Sequence, residues 1–98
     1  MTQNPVSFST ALDRILSGYR AARVVWNSVE EDPTVFIYLV PGSEFEVSRA
    51  PLNVIYDEGT RIKYKPHIDI AYGEGTCSVW TPTQDDLMAN DWYLMPKK

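Results

Sequence analysis

The side chains best suited to chemistry are three tryptophans and a short run of carboxylates. Trp26 runs into Asn27, Trp80 into Thr81, and Asp91-Trp92 closes a segment that also carries Asp85 and Asp86. An indole at a strand end, beside an amide or hydroxyl, offers a flat face for a ring and a polar group to read its edge. The same indoles also suit a core, and Trp92, starting a strand after a helix, suits it best. Asp85 and Asp86 can be read as a general acid/base pair, as acceptors for ribose or base-edge groups, or as first-turn carboxylates that complement a helix dipole. One carboxylate is enough for the dipole, and adjacent helical residues point about 100° apart. Negative charge there also argues against a phosphate docking on that helix end.

Arg23 lies in the run Ala21 to Trp26, which reads as a strand. By alternation it shares a face with Ala21 and Val25, opposite Val24 and Trp26. If Val25 faces the core, Arg23 needs an acidic partner or a bound anion; if Val24 does, Arg23 is surface. His67 and Cys77 are the only residues of their types. They make no zinc set, and no Ser-His-Asp or Cys-His arrangement is visible. Pro41-Gly42-Ser43 and Gly73-Glu74-Gly75 read as turns, not as phosphate cradles. Lys63 and Lys65, alternating with Tyr64, are edge-strand charges or the rim of an anionic pocket. Nothing pairs a nucleophile with a base, so these residues favour binding without turnover, and neither metal nor cofactor is expected.

The elements that must position these groups form an α+β domain. Phe8, Ala11, Leu12, Ile15 and Leu16 make one helical stripe, predicting a helix over 8–17 capped by Ser7 and ended by Gly18. Thr34 to Val40 is the most apolar run and reads as a central strand, after an acidic loop at Glu30-Glu31-Asp32-Pro33. Residues 44–58 are ambiguous. Asp57 to Thr60 is a turn, Arg61 to Lys65 a half-exposed strand, and His67–Tyr72 with Thr76–Trp80 a hairpin. Thr81 is expected to cap a short second helix, with Pro82 at its first position, Gln84 closing a T-x-x-Q box and Asn90 as a left-handed terminator. Asp91 to Met95 ends an antiparallel sheet, and residues 1–6 read as a loose arm of this single domain, 1–98.

At 98 residues the chain is small enough to gain from oligomerisation. Its net charge of −4 argues against a nucleic-acid polymer, whose phosphates call for a basic face. No run approaches the roughly 20 apolar residues of a membrane span. The absence of an export signal and the single cysteine point to a reducing cytoplasm.

The pattern F-x-x-A-L at Phe8, Ala11 and Leu12, then Gly18, then A-x-R-x-x-W-N at Ala21, Arg23, Trp26 and Asn27, carries a resemblance. It continues through V-P-G-S-E-F (Val40 to Phe45) to W-T-P-T-Q-D-D-L-M-A-N-D-W from Trp80 to Trp92. This resembles the phage and prophage Thoeris anti-defence protein two family. The resemblance implies a non-catalytic sponge: a homo-oligomer, often a tetramer, that binds immune signalling nucleotides in pockets between subunits and releases them intact. The implied ligand is glycocyclic ADP-ribose, with cyclic dinucleotides at separate pockets in some relatives, and the implied setting is the cytoplasm of an infected bacterium. Carried onto this chain, Arg23, Trp26 and Asn27 with Trp80, Thr83, Asp85 and Asp86 supply the stacking ring, amide contact and polar grip. The rival readings are a small nucleotide hydrolase using Asp85 and Asp86, and a structural or protein-binding phage component.

Overall fold

The computed structural model describes residues 4–27 and 34–95. The expected acidic loop at 30–33 lies outside them. Helix α1, Phe8–Leu16, begins where Ser7 Oγ accepts the Thr10 N–H and stops before Gly18, whose φ of +103° suits a residue without Cβ. Its stripe buries Ala11 and Ile15 against Ala21, Ile37 and Trp92. Full burial of a side chain such as Ile15 contributes about 1.5–3 kcal/mol.

The receiving sheet is antiparallel and five-stranded, in the order β6-β5-β2-β1-β7. Its strands are β1 (Arg20–Arg23), β2 (Phe36–Val40), β5 (His67–Tyr72), β6 (Thr76–Val79) and β7 (Trp92–Met95). Alternation gives it two unlike faces. Ala21, Ile37, Leu39, Ile68, Ile70, Trp92 and Leu94 meet α1, whereas Arg20, Ala22, Phe36, Tyr38, Ala71, Cys77, Tyr93 and Met95 line the other side, where no described helix packs. The hairpin β5–β6 turns at Gly75, in the left-handed region at φ +89°.

The start of the ambiguous stretch pairs with the strand expected at Arg61 to Lys65 in a separate two-stranded ribbon, β3 (Ser43–Glu46) with β4 (Arg61–Tyr64). A 3-10 turn at Leu52–Val54 lies between them. Phe45 sits opposite Ile62, and Glu44 opposite Lys63, so one side of the ribbon is apolar and the other charged. With this ribbon the molecule measures 52 × 27 × 27 Å.

Four local expectations are corrected. β1 stops at Arg23, and Val24–Trp26 is a 3-10 turn rather than the end of a strand. The Val24 N–H bonds the Asp91 carbonyl at 3.1 Å, and the turn leaves Val24 and Val25 in solvent while bringing Trp26 onto the helix side. The second helix, α2 (Gln84–Met88), is capped by Thr83, not Thr81, and its box is closed by Asp86, not Gln84. Asn90 is not left-handed: α2 ends at Ala89 in extended backbone, because the chain passes straight into β7. Finally, the arm is pinned at Val6, which exchanges backbone hydrogen bonds with Trp92 at 2.7 and 3.1 Å.

Candidate functional site

The segment between β6 and β7 is organised by one carboxylate. Asp86 Oδ2 accepts the Thr83 backbone N–H at 2.9 Å, while Thr83 Oγ1 accepts the Asp86 N–H at 3.1 Å. Asp86 Oδ1 accepts from Arg23 Nη1 at 3.1 Å, and Asp91 Oδ1 accepts from Arg23 Nε at 2.9 Å. The three side chains are largely buried, 17 % exposed for Arg23, 10 % for Asp86 and 30 % for Asp91. Burial pushes the Asp86 carboxyl up. The Thr83 N–H, the Arg23 guanidinium, the Thr83 hydroxyl and the Arg23 charge outweigh it and hold the group below its ordinary value. The Arg23 guanidinium is held above its ordinary value, first by its hydrogen bond to Asp91, against burial, and then by Asp86. Arg23 therefore faces the helix side, with an acidic partner supplied twice over.

Against this network lies an aromatic cluster. Trp92 is fully buried and donates its indole N–H to the Asp86 carbonyl at 3.0 Å. Phe8, Trp26 and Trp80 surround it at ring-centroid distances of 5.3, 5.1 and 6.0 Å. Trp26 and Trp80 meet edge to face at 6.4 Å. Both are partly exposed while packed against the core. Edge-to-face packing fixes their planes without stacking one on the other.

The remaining candidates fall elsewhere. The Asn27 amide donates to the Val35 carbonyl at 2.9 Å and to the Tyr93 hydroxyl at 3.2 Å, and its oxygen accepts from the Thr34 and Val35 N–H groups. It ties the turn after β1 to the start of β2. Asp85 is exposed on α2, and among the described residues no hydrogen bond or ion pair engages it. Thus Arg23, Thr83 and Asp86 share one network, and Trp26 with Trp80 one cluster. These adjoin through Trp92, with Asn27 and Asp85 apart.

Sequence reasoning missed Asp91 and Phe8. The need of a core-facing Arg23 for a carboxylate was the available signal for Asp91, and Phe8 was read only as the first residue of a helical stripe. Lys63 and Lys65 do line a cavity, of about 520 Å³ beside the ribbon, but Glu44 shares its wall and the charge there is mixed. Among the described residues no group of His, Cys, Asp or Glu is placed to hold a metal ion.

Residues 6–95 match the Tad2-like domain, described as Thoeris anti-defense 2-like. The chain belongs to the Tad2-like family. The match runs from the bridge at Val6 to the end of β7, and so takes in the ion-pair network and the tryptophan cluster together. A comparison with curated proteins finds no match. Membership in this Tad2-like family supports a role in Thoeris anti-defence, and such a role is consistent with a small-molecule signal as partner. Among the described residues no helix is long and apolar enough to cross a membrane.

Proposed function

We propose that this Tad2-like chain acts as a sponge: it binds a cyclic nucleotide immune signal, glycocyclic ADP-ribose or a cyclic dinucleotide, and withholds it uncleaved from the effector. The observation that carries this reading is the pair Trp26 and Trp80, held edge to face over Trp92 and both partly exposed. Rings immobilised in this way stack on a base at little entropic cost, for about 1–3 kcal/mol each. Asp85, exposed and uncommitted, accepts ligand hydroxyl or amino groups. Arg23, Thr83 and Asp86 act as positioning residues, locking the turn that carries Trp26 to the helix that follows Trp80.

A ligand of dinucleotide size at about −0.3 kcal/mol per heavy atom reaches roughly −10 kcal/mol, or tens of nanomolar. The half-open cluster buries too little of such a ligand alone, so a second copy closes the pocket in a homo-oligomer, a tetramer in the fullest form. Phosphates then fall to backbone N–H groups or to a lysine of the neighbouring copy, because Arg23 is already shared by two carboxylates. Isothermal titration of the protein with glycocyclic ADP-ribose and with cyclic dinucleotides, followed by heating and analysis of the released molecule, tests this. Recovery of the intact ligand is expected, with binding weakened at least about tenfold in Trp26→Ala and Trp80→Ala. An altered product means an enzyme. Loss of fold in both variants, without any folded protein of reduced affinity, removes the stacking assignment.

A further inference from the structure

We propose that the cavity where the start of β1 meets β2, reaching the helix-free face of the sheet, is a second ligand site that takes a flat aromatic ring carrying one anionic group. The two strands pair at one register position, Ala21 opposite Ile37. Between Gly18, which precedes β1, and strand β2 lies a cavity of about 400 Å³, lined by Gly18, Arg20, Phe36, Tyr38, Leu39, Ala71 and Cys77. That volume falls within the ordinary range for small-molecule pockets, and the wall is largely apolar, as such pockets are.

The polar groups decide the class of ligand. The Arg20 guanidinium lies 5.0 Å above the Phe36 ring, which fixes its plane. Its Nε is buried and has no hydrogen-bond partner among the described residues. Arg20 as a whole is half-buried, but a buried N–H left unpaired is costly, and on a guanidinium the acceptor that best relieves that cost is an anion. One cation in an apolar wall matches one anionic group on an apolar body. Phe36 and Tyr38, 5.8 Å apart and inclined at 57°, present ring surface for that body. Among the described residues the other buried side-chain atom without a hydrogen bond is Asp69 Oδ1, on the same face directly across from Tyr38. It lies outside the cavity lining and is paired with His67, so it takes no part in selecting the ligand. His67 Nε2 lies 3.3 Å from it. Tyr38 itself remains a neutral phenol, its pKa pushed up to about 12 by its hydrogen bond with Cys77, then by burial and by the charges of Cys77 and Asp69. The chemistry is that of an aryl anion no larger than a nucleoside monophosphate, such as adenosine monophosphate.

Cys77 is an exposed free thiol on the cavity wall and the only cysteine in the chain, so its alkylation rate reports occupancy without any mutation. Adenosine monophosphate is expected to slow labelling of the wild-type protein at least about tenfold at saturation, whereas adenosine and inorganic phosphate leave the rate within about twofold of the free protein. Arg20→Gln is expected to weaken the protection at least about tenfold, the loss of one charge-assisted hydrogen bond. Ala71→Leu, which fills the wall from β5, is expected to abolish it and serves should Arg20→Gln fail to fold. No slowing by adenosine monophosphate overturns the proposal, as does equal slowing in wild type and both variants. Equal protection by phosphate alone, or by adenosine alone, overturns the paired requirement for ring and anion. Trp80 does not line this site, although Trp26 and Phe36 pack against the same buried residues. Protection of Cys77 retained in Trp80→Ala, together with lost heat of cyclic nucleotide binding, separates the fate of one reading from that of the other.

Discussion

Arg20 and Arg23 bound the same four-residue strand, yet their surroundings are opposite. Alternation sends Arg23 to the helix side, where Asp86 and Asp91 both accept from it, and α2 and β7 are drawn together around it. Arg20 points to the helix-free side, rests on Phe36 and keeps a buried Nε with no partner among the described residues. The contrast shows how a small antiparallel sheet divides its labour. One face spends its charge on internal order and holds its aromatic rings still. The other leaves a cation beside an open cavity.

The largest test of the first face is Trp92→Ala. Trp92 is fully buried, meets three aromatic rings and donates to the Asp86 carbonyl, so urea denaturation is expected to show a loss of about 3–5 kcal/mol. Next come the arginines themselves. Arg23→Gln leaves two carboxylates short of their cation and is expected to cost about 2–3 kcal/mol in the same assay. Arg20→Gln is expected to cost less than about 1 kcal/mol, the contribution of a cation over a ring. Equal losses from the two substitutions break the contrast. Thr83→Ala removes the cap of α2 and is expected to cost about 1 kcal/mol, together with a weaker fluorescence signature of ordered Trp80.

The smallest effect is in acid. The folded Asp86 carboxyl titrates below its ordinary 3.8, so between the two values the unfolded chain binds more protons than the folded one. Stability from this group is complete above about pH 4 and is lost as pH falls through the depressed folded value. Urea midpoints measured from neutral pH downward are expected to drop along that limb in the wild type, and to drop less in Asp86→Asn.

Part of this arrangement was legible from local chemistry. The stripe of Phe8, Ala11, Leu12, Ile15 and Leu16 predicted α1, with Ser7 and Gly18 at its ends, because helix periodicity and capping act within a few residues. The burial of Trp92 was equally plain. The capping box was harder: T-x-x-Q from Thr81 and T-x-x-D from Thr83 are both acceptable locally. Arg23, sixty-three residues away in sequence, favours the second by pairing with Asp86. Val24 and Val25 are strand formers, which locally places Trp26 at a strand end; in the fold the Val24 N–H bonds the Asp91 carbonyl and Val24–Trp26 turns instead.

What the sequence settled by itself was therefore the α+β class, the amphipathic first helix, most strand positions and the membership carried by the motifs around Trp26 and Trp80. Those properties come from periods of 3.6 and 2.0, from turn residues and from caps, all interactions of short range. Which carboxylates hold Arg23, how far the indoles emerge from the core and why Arg20 borders a cavity were decided by tertiary structure. Each depends on strands distant in sequence meeting in a register that no local pattern specifies.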